Sequence, residues 1–382
     1  MMRRRMRFPI AMLIIAMLVS LMTACGQSTS SPPPASSTQP TSSTPTPADS
    51  PGGTVELKTA KDIALYEGAD REQRLIEGAK KEGKLTIYTS MAIEDMQKMV
   101  AAFEAKYGIK VDVWRAGSEK VVQRAVTETQ AGRHDFDIVE TNGPEQEALH
   151  REGLLQEVKS PYLNDLIPEA ILPHKEWVAT RLNIFVQAYN TQKVTKEELP
   201  KTYEDLLDPK WKGRLAIEAE DLDWFAEVIK DTGDEEKGLQ LFKDIVATNG
   251  LSVRKGHTLL TQMVASGEVP LALTVYNYKA EQLKNEGGPI DWFAIEPAIA
   301  RPNGVSVSKN APHPFSAVLF YDFMISTEGQ QMLGDFSFVP TSNKVDTKLN
   351  DMPMKFVDPA VVLDENEKWS KLYEDIIVKK SN

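Results

Sequence analysis

The stretch LTIYTSMAIEDMQKMVAAFEAKYGIKVDVWR, residues 85–115, decides the fold class. It opens on a short apolar and β-branched run, LTIYT, which reads as a strand. Met96, Met99, Val100 and Phe103 then recur at helical spacing, and Gly108 supplies the stop. IKVDVWR, residues 109–115, is a second strand. Upstream, DREQRLIEGAKKEG fits a helix with Asp70 as cap, Leu75, Ile76 and Ala79 on one face, and Gly83 at the end. Downstream, SEKVVQRAVTETQAG is a helix with Ser118 at its cap, and FDIVE, residues 136–140, is a third strand. Strand, helix, strand, helix, strand in so short a span predicts a parallel sheet with right-handed crossovers.

The pattern then changes. EWVATRLNIFVQAYNT, residues 176–191, is long and strand-rich without a helical period, so it can leave one lobe and enter another. A second α/β set follows. GRLAIE, LSVRKG, PLALTVY and IDWFAI read as strands, and the helices between them fall at 223–230, 235–247, 258–268 and 279–288. GVSVSKNAPHP, residues 304–314, reads as a return strand and loop before helices at 315–324 and 328–333. The expected division is lobe 1 from 55–188 with 300–382, and lobe 2 from 189–299, joined by two crossings that make a hinge.

The first 54 residues read differently. Arg3, Arg4, Arg5 and Arg7 precede an uncharged run from Phe8 to Ala24. That run is shorter than the roughly 20 apolar residues a membrane span needs. A cationic start, a short apolar core and small residues before a cut site describe a secretory signal peptide over 1–24. Cys25, the single cysteine in the chain, follows Thr23 and Ala24 directly. This resembles the bacterial lipobox, which implies diacylglyceryl attachment to Cys25 and anchoring by two acyl chains. The plainer reading is an ordinary signal peptide with a chance cysteine. After Cys25, residues 26–54 read GQSTSSPPPASSTQPTSSTPTPADSPGGT, a Ser/Thr/Pro segment with nothing to bury, and 25–54 is expected to be a lipidated cysteine with a disordered tether. Lys plus Arg total 44 against 55 Asp plus Glu, a net charge of −11, which argues against a nucleic-acid partner. With no second cysteine the fold is not built on disulfides.

Five stretches carry a family resemblance: GKLTIYTSM, AFEAKYGIKVDVWRAGSEKVVQR, TYEDLLDPKWKGRLAIE, VASGEVPLAL and KNAPHPFSAVLFYDFMISTEGQ. In this order they resemble the extracellular solute-binding proteins of ABC importers, over about residues 75–333. They are most similar to the group of ferric-iron binders, with phosphonate, thiamine and polyamine binders as relatives. The resemblance implies a two-lobe α/β fold of the type II periplasmic-binding-protein kind, with ligand in the cleft and the closed form docking on a membrane permease with its ATPase. It implies no catalysis and no resident cofactor; Fe(III) would be cargo. The expected chain is a monomer held outside the cytoplasmic membrane, or in a periplasm where the host has an outer membrane.

Candidate cleft residues lie at strand ends, where helix N-termini offer amides and positive dipole. Thr89 and Ser90 follow the first strand and suit an oxyanion, or simply cap the next helix. Arg115 and Ser118 sit at the next strand-to-helix turn, with a surface arginine and a plain cap as the alternative. Thr141 and Asn142 end the third strand and could contact a polar ligand or form a turn with Gly143. Tyr189 stands at the first lobe crossing as cleft wall or packing. Asp223 and Trp224 belong to the acidic run IEAEDLDWF, with Glu218, Glu220 and Asp221; carboxylates beside an aromatic can hold a cation or amine, or merely begin a solvated helix. Arg254, His257 and Thr258 open a helix and suit an anion, or Thr258 caps it.

The resemblance to ferric binders adds metal candidates. Glu140 is nearest to the family's carboxylate ligand. Two adjacent tyrosines carry the family's phenolates; here the segment reads Tyr276, Asn277, Tyr278, so Tyr278 matches the second and Asn277 replaces the first. The histidine common in the first loop is missing, since none occurs between Tyr88 and Met99. A hard trivalent ion wants anionic oxygens, and one phenolate with Glu140 is a thin shell. A small organic anion or amine is therefore the alternative cargo, and a solute-sensing subunit of a membrane signalling system the alternative role. HExxH, GxSxG, CxxC, P-loop and GxGxxG motifs are all absent from the chain.

Overall fold

The structure, a computed structural model, describes residues 56–347, 349 and 352–380. The signal peptide, Cys25 and the tether expected over 25–54 lie outside the described residues. The chain order begins α1 (Ala60–Ala64), α2 (Arg71–Glu82), β1 (Lys84–Thr89), α3 (Ile93–Tyr107), β2 (Lys110–Arg115), α4 (Ser118–Gln130), β3 (Ile138–Asn142), α5 (Gly143–Arg151) and β4 (Leu155–Gln156). β1 pairs in parallel with β2 on one side and β3 on the other, as the βαβαβ pattern requires. Gly83 and Gly108 end α2 and α3 in the left-handed conformation. Two expected caps differ. Asp70 precedes α2 but its carboxylate binds Tyr66 and Arg74, and α4 begins after Gly117 with Ser118 inside its first turn.

β5 (Trp177–Asn190) is buried along its whole length. The second set comprises β6 (Leu215–Glu218), α6 (Leu222–Asp231), α7 (Glu235–Asn249), β7 (Ser252–Arg254), α8 (His257–Ser266), β8 (Leu271–Tyr276), α9 (Asn277–Asn285) and β9 (Ile290–Phe293). β10 (Ala298–Ser308) returns antiparallel to β5 and also pairs with β3. The sheet order is therefore β2-β1-β3-β10-β5-β8-β6-β7. The sheet is mixed rather than wholly parallel, because the two crossing strands run in opposite directions through its centre. β5 changes partners at Phe185, which faces Ile299 of β10 and Tyr276 of β8. The passage between sets thus falls before residue 188, the expected edge of lobe 1.

β10 starts at Ala298 although it contains Pro302, and the expected strand began only at residue 304. Pro302 is tolerated because pairing with β3 begins one residue later, at Asn303, so its missing N–H removes no bond to that neighbour. The register against β5 shifts between Asn303 and Gly304. A Cβ on Gly304 would lie 2.5 Å from the Val178 carbonyl oxygen, so only glycine allows the strands to approach there.

After β10 come α10 (Pro314–Ile325), α11 (Thr327–Asp335), β11 (Val339–Pro340), β12 (Met354–Phe356), α12 (Pro359–Asp364) and α13 (Asn366–Tyr373), which runs on as a π-helical turn at Glu374–Val378. α10 is buried from Ser316 to Ile325, which explains why its sequence is apolar all round. Its one charged residue, Asp322, is paired with buried Arg71 of α2. The last segment departs from the expected assignment of 300–382 to lobe 1. α12 packs on α5, where Arg151 holds Asp364 at 2.7 Å. α13 instead joins α6 and α7: Trp369 and Tyr373 pack on Phe225, with ring centroids 6.2 and 5.3 Å apart. The cause is apolar burial, since Trp369, Tyr373, Ile376 and Ile377 are all nearly inaccessible.

Candidate functional site

The site forms where the carboxyl ends of β1, β3, β6 and β8 meet the middle of the two crossing strands. Both crossing strands carry the same short pattern, Arg181-Leu182-Asn183 on β5 and Arg301-Pro302-Asn303 on β10. Antiparallel register sets Arg301 opposite Asn183 and Asn303 opposite Arg181. One arginine serves each wall of the cleft.

On the wall of the first set, Glu140 at the end of β3 is fully buried. Arg181 Nη1 donates to its Oε1 at 2.5 Å, and the Thr89 hydroxyl donates to its Oε2 at 2.5 Å. The Met91 N–H donates to Thr89 Oγ1 at 2.9 Å and reaches Glu140 Oε2 at 3.3 Å. The Ser90 N–H donates to the Glu140 carbonyl, and Thr141 Oγ1 lies 3.1 Å from Ser90 Oγ. Asn142 donates to Ser118 Oγ at 2.8 Å and accepts from Asn303 Nδ2 at 3.0 Å. Arg115 is exposed, and its guanidinium donates to the carbonyls of Met91 and Ser90. These residues are brought together as the sequence implied. Glu140, however, is saturated by a guanidinium, a hydroxyl and an amide. A carboxylate so engaged has little left for a metal ion, so its place as a metal ligand is not supported by its geometry.

The wall of the second set is built differently. Arg301 Nε donates to Asp223 Oδ2 at 2.5 Å, and Nη2 donates to Asp223 Oδ1 to complete a fork. Arg301 Nη1 donates to the Tyr276 hydroxyl at 2.5 Å, and Nη2 lies 3.5 Å from Asp221 Oδ1. His257 opens α8 after Gly256, whose φ of 102° suits glycine and makes it the N-cap residue in place of Thr258. His257 Nε2 lies 3.1 Å from Asp221 Oδ1, and its ring stacks on Tyr276 with centroids 3.8 Å apart. Thr258 sits half-buried beside it in the same first turn. Glu218 at the end of β6 accepts N–H bonds from Gly256 at 2.8 Å and Glu220 at 2.5 Å.

Tyr276 ends β8 and Tyr278 begins α9, with ring planes 20° apart and centroids 5.9 Å apart. Asn277 between them turns away and accepts the Ile184 N–H at 3.3 Å. The two tyrosines therefore form a pair in spite of the intervening residue. Tyr278 also packs on Phe338 at 4.1 Å, and Gln282 of α9 reaches Asp95 of α3 at 3.3 Å, so the two sets touch across the cleft.

The electrostatics follow from burial against opposite charge. Burial pushes the Tyr278 phenol up to about 12, with Arg181 pulling the other way. Burial also drives Tyr276 well above the usual range against the opposing pull of Arg301. Burial alone would lower His257, but the Asp221 carboxylate and then Glu218 outweigh it and hold the imidazole above its ordinary pKa. Glu218 is raised by burial and by the Asp221 charge. Glu145, in the first turn of α5, is pushed up to about 7 by burial.

Two expected site residues lie elsewhere. Trp224 follows Asp223 by one helical step, which turns it into the core against Tyr203 and Phe242 at 5.8 and 5.7 Å. Tyr189 faces Leu271 at the start of β8, the end away from Tyr276, and packs on Phe293. Sequence reading missed Arg181, Asn183, Arg301 and Asn303 as site residues. The signal was present: a charged and an amide residue at the same spacing inside two otherwise apolar strands.

Two α/β sets, strand ends converging on a polar cleft, and two central strands crossing between the sets define a solute-binding protein of the type II periplasmic-binding kind. The profile of the bacterial extracellular solute-binding proteins matches residues 98–355, and the chain belongs to that family. It is 27% identical to iron uptake protein A1 of a Synechocystis species over 270 residues, which is 67% of this chain and 74% of the relative. It is 24% identical to the major ferric iron-binding protein of Neisseria meningitidis over 267 residues, 65% of this chain and 78% of that one. Among solved structures, iron-bound HitA from Pseudomonas aeruginosa superposes with a TM-score of 0.67 at 25% identity, over 77% of this chain and 99% of HitA. AfuA from Actinobacillus pleuropneumoniae, with fructose-6-phosphate bound, gives a TM-score of 0.68 at 22% identity over 78% of this chain and 99% of AfuA, a likeness of fold alone.

Proposed function

We propose that this solute-binding protein captures ferric iron, or a ferric chelate, and delivers it to the permease and ATPase of an ABC importer. The observation that carries the reading is the pair Tyr276 and Tyr278, near-parallel and buried at the junction of the two sets. Phenolates are hard anionic donors suited to Fe(III), and metal coordination supplies the drive to deprotonate them that burial alone opposes. The relatives named for iron uptake and ferric binding support the same cargo. On this reading the protein alters nothing it binds. It works as a monomer anchored outside the cytoplasmic membrane through lipid on Cys25.

The test is to add ferric citrate to the metal-free protein. A visible phenolate-to-iron charge-transfer band is expected, together with a raised melting temperature, because a ligand bound only by the folded state stabilises it. The band should weaken in Tyr278→Phe and vanish when Tyr276→Phe is added to it. Absence of both band and thermal shift would reject iron as cargo. A second reading, a cationic amine, is favoured by the excess of carboxylates on the second wall, where Glu218, Asp221 and Asp223 are set against Arg301 and the His257 imidazole alone. A thermal shift with spermidine and none with ferric citrate would select it.

A further inference from the structure

Three buried carboxylates cluster in the second wall: Asp221 and Asp223 at the Arg301 guanidinium, and Glu218 beside Asp221 and His257. Arg301 is committed to Asp223 through a two-pronged contact and to the Tyr276 hydroxyl. Asp221 has the far edge of that guanidinium at 3.5 Å and the His257 imidazole at 3.1 Å, and Glu218 joins the same cluster. Buried negative charge without a cation is costly, so the cluster is short of positive charge by construction.

Its geometry matches that shortage. One donor atom from each of Glu218, Asp221 and His257 lies within 4.8 Å of the other two. Asp221 is 1% exposed, yet its Oδ2 has no hydrogen-bond partner, and His257 Nδ1 is likewise buried and unpartnered. Glu218 is fixed in place by the N–H groups of Gly256 and Glu220. Two carboxylates and an imidazole suit divalent ions such as borderline Zn²⁺ and the harder Mn²⁺. A second trio, Glu147, His150 and His174, also brings its donors within 4.8 Å. There the two rings stack 3.8 Å apart and only 14° from parallel. An imidazole nitrogen bonds a metal in its own ring plane, and no nearby point lies in both planes, so that trio is not preformed for an ion.

We propose that Glu218, Asp221 and His257 form a divalent-cation site of the Zn²⁺ or Mn²⁺ class, built wholly from the second set beside the tyrosine pair. The proposal rests on the cleft being the ligand site but not on iron being its cargo. Because all three ligands come from one set, the ion binds without contacts from the opposite wall.

The full chain, stripped with a chelator and dialysed, is titrated with ZnCl₂ and separately with MnCl₂ by calorimetry, with Mn²⁺ also followed by electron paramagnetic resonance. One ion per chain is expected. Glu218→Gln and His257→Gln should each weaken binding at least tenfold, and His150→Gln should leave it within twofold. Circular dichroism melts identify any variant that fails to fold, and Asp221→Asn then replaces it. No divalent binding, or binding unchanged in Glu218→Gln and His257→Gln, or binding lost in His150→Gln, overturns the proposal. If the ferric band appears but divalent binding does not, this inference falls while the importer reading stands. If neither ion binds, this inference and iron as cargo both fall, and the importer reading passes to the amine.

Discussion

The two walls of the cleft carry similar residues and treat them in opposite ways. On the first wall, Glu140 has a guanidinium, a hydroxyl and an amide on its carboxylate. On the second wall, Asp221 Oδ2 and His257 Nδ1 are buried with no hydrogen-bond partner, whereas the unpartnered atoms around the first wall are Arg181 Nε and the amide oxygens of Asn183 and Asn303, none of them a carboxylate oxygen. Both walls draw one arginine from the crossing strands, but the first matches it with one carboxylate, Glu140, and the second with two, Asp221 and Asp223. The contrast separates two tasks. A satisfied polar network holds backbone in place, whereas an unsatisfied one keeps interaction energy available for a ligand. On the proposed reading, the carboxylate of the first wall serves as framework, and those of the second keep donor atoms free for a ligand.

The comparison breaks most sharply at Arg181. Arg181→Met leaves Glu140 buried without its cation, and urea unfolding should show a loss of about 3–5 kcal/mol, the usual cost of removing one partner of a buried pair. A loss below about 1 kcal/mol would mean that the first wall is no more a framework than the second. Next in size is Gly304→Ala. The added Cβ meets the Val178 carbonyl at 2.5 Å. The crossing strands must then spread, at about 1–3 kcal/mol by the same measurement. On the second wall, Glu218→Gln should change stability by less than about 1 kcal/mol, because removing a charge from an overcharged cluster offsets any weakened hydrogen bond.

The smallest effect is a control from outside both walls. Burial, with His150 stacked beside it, lowers the pKa of His174 below its ordinary value of 6.5. The unfolded chain therefore binds more protons than the folded one at mildly acid pH. This contribution to stability is intact above 6.5 and lost as pH falls through the folded value. Urea midpoints measured from pH 7.5 to 5 should fall less steeply in His174→Gln than in the parent. A parallel slope would remove His174 as a source of the pH dependence.

Most of the α/β elements were legible because each carries its own signal, as in the apolar stripe Met96, Met99, Val100 and Phe103 closed by Gly108. The elements that were not legible depend on distant partners. α5 begins Gly143-Pro144, which locally reads as a turn, although proline in a first helical turn is favourable. β10 was shortened at Pro302, whose tolerance follows from where β3 stops pairing. α13 has its reason in Phe225, far away in sequence. The site was half visible. Thr89 was placed in the site by its position after a strand, Asp223 by the acidic run that holds it, and Tyr276 and Tyr278 by the resemblance to ferric binders. Arg181 and Arg301 were not, because mid-strand residues of a crossing strand reach a cleft only once the register is known. Trp224 and Tyr189 were misplaced for the converse reason. Adjacency to a site residue along the chain says nothing of which way a ring turns.

The chain makes one more passage between the two sets, at its end. Arg151 of α5 grips Asp364 at 2.7 Å, while Lys230 of α6 grips Glu365, the next residue, at 2.9 Å. Neighbouring residues are thereby fastened to opposite halves. One peptide link thus joins two ion pairs that belong to different sets, so separating the sets at this point would have to break one of the two.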